Sequence, residues 1–202
     1  NCGMAFYDNF LDDSHRLVRD TCRRFAETEI APHAHAWEEA ESFPKSLYKT
    51  AGQAGILGGH FPEEVGGAGG GALHMVLGIE GLMHGGSTGV VVGLGTAGIS
   101  LPPIIQSGKQ DLLDRYVRPA IEGDLVASLC ITEPGTGSDV AAVSTRARRD
   151  GEHYVVNGSK LFITSGVVAD AYSTLVRTGD HPHQGLSFLV PRLHYLRLRH
   201  IQ

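Results

Sequence analysis

Apolar positions in the first 120 residues recur at helical spacing, and in the last third they fall into short runs split by turn residues. Leu11, Leu17, Val18, Cys22, Phe25 and Ile30 form a near-helical stripe, with Asp12 to Ser14 available as a cap. Pro32 interrupts this helix or begins the next. Pro44 fits the first turn of another helix, which Gly55 can close. Glu63 to Gly71 is a Gly-rich loop. Apolar helical segments are predicted over Ala72 to Met83 and Thr88 to Leu101, with Pro102 and Pro103 breaking the second. Gln110 to Ile121 is amphipathic, and Gly123 ends it.

After Leu125 the pattern changes. Val126 to Ile131, Ser144 to Arg149, His153 to Val156, Lys160 to Thr164, Tyr172 to Arg177 and Leu186 to Val190 are short and rich in β-formers. Asp150-Gly151 and Asn157-Gly158 carry hairpin-turn chemistry. Helices followed by strands predict an α+β chain with segregated domains rather than a repeating βαβ sheet. The boundary falls near Gly123.

The 202 residues are 42% hydrophobic, enough for a real core. A net charge of −5, with 17 Lys and Arg mostly scattered, gives no nucleic-acid surface. Cys2, Cys22 and Cys130 are odd in number and far apart, which predicts a reduced compartment and no disulfide frame. His33 and His35 point to different sides of a helix, so no metal site is expected. No run is expected to cross a membrane. The start, Asn1-Cys2-Gly3-Met4, resembles no secretion signal. Asn157-Gly158-Ser159 fits a glycosylation acceptor but reads better as a turn.

Gly93-Leu94-Gly95-Thr96-Ala97-Gly98 matches G-x-G-x-x-G after three valines. Pro102 and Pro103 follow too closely for a nucleotide-binding helix, and no second parallel-strand unit follows. Val92, Gly95 and Ile99 lie at i, i+3 and i+7. A glycine costs about 1 kcal/mol against alanine inside a helix. Gly95 therefore either leaves room for a ligand or allows close helix packing.

The densest chemistry is Leu129-Cys130-Ile131-Thr132-Glu133-Pro134-Gly135-Thr136-Gly137-Ser138-Asp139. Pro134 ends a strand, and Gly135 and Gly137 let backbone N–H groups converge on a ligand. Thr132 and Ser138 place hydroxyls on either side. Such a loop binds an anion or the polar edge of a planar ring, or is simply a Gly-rich turn. Its order of residues resembles the T-E-P-x-x-G-S-D segment of the acyl-CoA dehydrogenase family. Asn157-Gly158-Ser159-Lys160-Leu161-Phe162-Ile163-Thr164-Ser165-Gly166 is similar to that family's N-G-x-K-x-[WF]-I-[TS]-[NS]-G element. The resemblance covers roughly Phe10 to Pro191.

The resemblance implies an all-helical N-terminal domain (1–123), then a truncated β-barrel-like middle domain (124–191). It implies FAD as cofactor and α,β-desaturation of an acyl-CoA thioester, since no side chain accepts a hydride. Leu129, Cys130, Ile131 and Thr132 would meet the ring through the Ile131 N–H and Thr132. Gly137 and Ser138 would meet the phosphates, and Ser138 the pantetheine arm. Phe162, Ile163 and Thr164 would pack on and bond the ring, Phe162 standing where many relatives have Trp. Val92, Gly95 and Ile99 would line an acyl pocket suited to medium or long chains. Glu133 is expected in local or inter-domain hydrogen bonds, and Asp139 as a turn cap. Neither is expected to be the base, which in the family is a Glu of a C-terminal helical domain not matched here.

Residues 192–202 form a basic tail that matches no family element, so a truncated chain with little activity and weak flavin affinity is expected. Electron-transfer flavoprotein is the expected acceptor in the complete enzyme, and a homo-oligomer the family's state. The expected location is the cytoplasm, or the mitochondrial matrix in a eukaryote. The alternatives are an acyl-CoA oxidase or flavin monooxygenase of the same superfamily, and a non-catalytic remnant or partner module.

Overall fold

The computed structural model describes residues 6–191. Cys2 and the basic tail over 192–202 lie outside the described residues. The chain divides into two compact units, residues 1–95 with 121–124, and residues 96–120 with 125–202.

The first unit is helical. It holds α1 (Asp13–Phe25), α2 (Ala34–Glu39), α3 (Ser46–Gln53), α4 (Ala72–Met83) and α5 (Thr88–Leu94). Asp12 caps α1 as its sequence suggests, accepting from the His15 N–H at 3.0 Å and the Ser14 hydroxyl at 2.6 Å. Those bonds hold its carboxyl at about 2. The His15 ring accepts in turn from the Asp12 N–H, and His74 repeats the arrangement on the Gly71 N–H of α4. Leu11, Cys22, Phe25 and Ile30 are buried, but Leu17 is 63% exposed and leaves the stripe. After α1 the chain widens into a π turn over Ala26–Ile30, just ahead of Pro32. Gly55, at φ +73°, closes α3, since only glycine takes that conformation cheaply.

Glycines set the spacing of α1 and α4. A Cβ on Gly81 would sit 2.5 Å from the Arg19 carbonyl oxygen and 2.8 Å from the Cys22 Cβ. Ser87 caps α5, accepting from the Val90 N–H and donating to Glu38. The glycine-rich stretch runs from the end of α5 through a turn at Gly95 and Thr96, with the three valines inside α5, so no strand precedes it. A side chain at Gly93 would strike the Phe43 ring.

The second unit combines short helices with one mixed sheet. Its helices are α6 (Ala97–Ser100), α7 (Pro102–Gln106), α8 (Gln110–Leu112) and α9 (Arg118–Ile121). Pro102 and Pro103 open α7 instead of ending helix, because proline suits the first turn. The run Thr88–Gln106 is thus long and apolar enough to cross a membrane by composition, against the expectation from sequence. Its mean hydropathy is 1.6, and 44% of it is buried inside the protein. A second π turn, Leu113–Val117, closes with the Arg118 N–H on the Leu113 carbonyl, just ahead of Pro119.

The strands are β1 (Ala127–Cys130), β2 (Arg146–Asp150), β3 (His153–Asn157), β4 (Ala171–Arg177) and β5 (Leu186–Leu189). Six of the seven residues of β4 are buried, which makes it the spine. It pairs in parallel with β1, from Ala127↔Ala171 to Cys130↔Thr174, and antiparallel with β5. β2 joins it in parallel at Arg146↔Arg177 and forms a hairpin with β3 through Gly151, at φ +60°. α6 fastens to the sheet where the Ser173 hydroxyl donates to the Ser100 carbonyl at 2.6 Å. A helical domain followed by a mixed sheet is the expected fold class, and the sheet is not closed among the described residues.

Candidate functional site

β1 delivers the chain to Ile131 and Thr132, and Glu133-Pro134-Gly135-Thr136 turns it back. The Glu133 N–H donates to the Thr136 carbonyl at 2.9 Å, and the Thr136 N–H returns at 3.1 Å. Glu133 is 5% exposed. Its carboxylate accepts from the Ser144 N–H at 2.7 Å, the Ser144 hydroxyl at 2.6 Å and the Thr145 N–H at 2.9 Å. The Lys160 ammonium completes the set at 2.8 Å. Burial alone would raise the Glu133 pKa, but the bonds from Lys160, Ser144 and Thr145 outweigh it and hold the carboxyl well below its ordinary range. A carboxylate so committed is no general base. Asp139 is expected from sequence to cap the turn, but its side chain makes no capping bond. Its carbonyl does the work, accepting from Thr136 Oγ1 at 2.7 Å and from the Ala142 N–H.

The second element lies against the first. The Lys160 ammonium donates to the Ile131 carbonyl at 2.8 Å, and the Leu161 N–H to the Thr132 carbonyl at 2.9 Å. Ser128 Oγ, on β1, donates to the Thr164 carbonyl at 2.8 Å. Lys160 to Thr164 is not a strand, in contrast to its β-rich pattern. Phe162 and Ser165 take φ of 55° and 58°, which breaks any ladder. Asn157-Gly158 is not a hairpin turn either. It ends β3, with Gly158 pressed against Thr145, where a Cβ would lie 2.3 Å from the hydroxyl oxygen.

Bonds within 131–133 leave a short remainder. The carbonyls of Ile131 and Thr132 and the N–H of Glu133 are engaged. Among the described residues, the N–H groups of Ile131 and Thr132 and the Thr132 hydroxyl have no protein partner. Phe162 is 89% exposed although apolar and in a costly backbone conformation, about 1–3 kcal/mol by the usual scale. Free donors and an apolar ring held out in this way fit a planar heterocycle with a polar edge.

Other expected contacts are placed less tightly. Cys130 is buried, burial pushes its thiol up to about 11, and its backbone is paired with β4 at Thr174. Leu129 and Ile163 are half-buried, and Thr164, Gly137 and Ser138 are exposed. The Ser138 hydroxyl has no partner among the described residues. Val92, Gly95 and Ile99 are all exposed. Among the described residues no cluster of three or more His, Cys, Asp or Glu could hold a metal. Sequence reasoning missed Lys160, Ser144 and Thr145 as partners of Glu133. The available signal was Lys160, the one charged residue in 157–166, set against the acids Glu133 and Asp139 of the first element.

Two family models match in tandem: the acyl-CoA dehydrogenase N-terminal domain over residues 12–124 and the middle domain over residues 128–200. The chain belongs to the acyl-CoA dehydrogenase family. The middle-domain match extends over most of the basic stretch set apart from the sequence. The rat mitochondrial short-chain specific acyl-CoA dehydrogenase is 36% identical over 184 residues, 90% of this chain and 44% of that one. A solved Mycobacterium smegmatis chain, described as an acyl-CoA dehydrogenase, is 45% identical with a TM-score of 0.88, over 92% of this chain and 49% of that one. A glutaryl-CoA dehydrogenase from the same organism, solved in complex with FADH2, is 30% identical with a TM-score of 0.85, over 93% and 47% of the two chains. The chain spans about half the length of the relatives it matches.

Proposed function

We propose that the whole protein is an FAD-dependent acyl-CoA dehydrogenase and that this chain carries the flavin half of its site. The observation that carries this is the lacing of 131–133 to 160–164, which leaves the Ile131 and Thr132 donors and the Phe162 ring outward. A flavin bound there supplies the hydride acceptor that side chains lack. The chain's own part is to hold the ring edge by N–H donors and wall one side with Phe162. Ser138 is assigned to the phosphates or the thioester arm.

Proton abstraction is assigned to residues outside the described ones, because Glu133 is locked in its clasp. Acyl-CoA is the proposed substrate, an electron-transferring flavoprotein the proposed acceptor, and the cytoplasm or mitochondrial matrix the proposed location. A finer proposal concerns Gly95. A Cβ there would meet only the carbonyls of Val91 and Val92, so neighbouring packing does not demand glycine. It would leave room for a medium or long acyl chain.

The test is a visible absorption titration of the purified chain with FAD, read without desalting. A shift of the flavin band that saturates by millimolar FAD is expected. A folded circular dichroism spectrum with no shift of the band at millimolar FAD would sink the reading.

A further inference from the structure

We infer that Lys160, anchored by Glu133, is a positioning residue that aims and strengthens the Thr132 N–H toward the flavin, an inference resting on the flavin reading above. A buried ion pair is costly unless both charges are bonded on every side. Lys160 and Glu133 side chains are only 11% and 3% exposed. Glu133 spends its acceptor capacity on Ser144, Thr145 and Lys160. Lys160 has one further contact, the Ile131 carbonyl at 2.8 Å. The pair is therefore built onto one peptide group.

That peptide runs from the Ile131 carbonyl to the Thr132 N–H. A planar trans peptide points its N–H opposite its C=O. With the carbonyl drawn to the ammonium, the Thr132 N–H is turned away from Lys160 and fixed there. The following peptide is pinned by Leu161, so the plane cannot rock. An ammonium on the carbonyl also polarises the amide, which strengthens its N–H as a donor by about a tenth to a third in linked hydrogen bonds. Donors of this kind favour a ligand more when it carries negative charge, and flavin gains electron density on reduction. Lys160 therefore favours the reduced form, and Glu133 partly offsets it by opposing its charge. A merely structural clasp lacks this sign dependence, since loss of either partner would weaken both redox forms alike.

The experiment uses the chain with FAD alone and follows the midpoint potential of bound flavin against reference dyes, with dissociation constants for both redox forms. Lys160→Met should lose roughly tenfold more affinity for reduced than for oxidised flavin, a shift of about 30 mV to negative potential for a two-electron couple. Glu133→Gln should move the potential the opposite way, and Lys160→Arg should restore it. Thermal melts identify variants that fail to fold, and the Lys160→Met/Glu133→Gln double variant then serves, with its potential between those of the single changes. Potentials that stay fixed, or move in one direction for both single changes, overturn the inference and leave the flavin reading intact. Failure of the unaltered chain to bind flavin overturns that reading and the inference together.

Discussion

Glu133 shows how one residue can hold a site without doing its chemistry. Its carboxyl lies below the ordinary 4.5, so its bonds add stability above that range and lose it as pH falls. In urea unfolding between about pH 6 and about pH 3, the unaltered chain should lose more stability than Glu133→Gln. At neutral pH that variant should cost about 3–5 kcal/mol, since it strands Lys160. Parallel pH profiles would remove Glu133 from the acid response. The cysteines give a second check. Burial pushes both Cys22 and Cys130 up to about 11, so neither presents thiolate at neutral pH. Peptide mapping should find both unlabelled by iodoacetamide in the folded chain and labelled after unfolding.

Helices and strands carry different kinds of information. Gly78 and Gly81 lie one turn apart on α4, yet only the second is crowded. A Cβ at Gly78 meets Cys22 Sγ at an ordinary 3.5 Å, whereas at Gly81 it would meet backbone. Gly81→Ala should cost about 1–3 kcal/mol by overpacking, and Gly78→Ala should gain up to about 1 kcal/mol of helix propensity. Thermal unfolding of the pair would decide it. The range of α4 was legible from apolar spacing because a helix reports its face locally. Lys160 to Thr164 was misread as a strand for the converse reason. Its β-forming side chains are those of a strand, but bonds to Ile131, Thr132 and Ser128 impose positive φ at Phe162. Pro102 misled in the same way, since helix-breaking and helix-starting prolines look alike until the neighbouring backbone is known. The motif residues could be read in advance, but the Glu133–Lys160 clasp is a long-range pairing that spacing does not encode.

For the whole molecule, weak net charge and exposed apolar residues set solution behaviour. Val76, Ile79 and Met83 on α4 are between 42% and 55% exposed. With a net charge of −5 and a pI of about 6.1, repulsion between copies vanishes near that pH. Light scattering should rise as pH is lowered from 8 toward 6, and Val76→Glu should reduce it with little change in melting temperature. The sheet order carries a consequence for synthesis. β1 must wait for β4, because their parallel register closes an excursion of about forty residues, and loop closure precedes its reward. Both motif segments lie inside that excursion. On the ribosome, the Thr132 turn therefore emerges early and stays unshaped until Ala171 has cleared the exit tunnel. A nascent chain stalled before that point should be readily cleaved by protease around Gly135, and one released beyond β4 should resist.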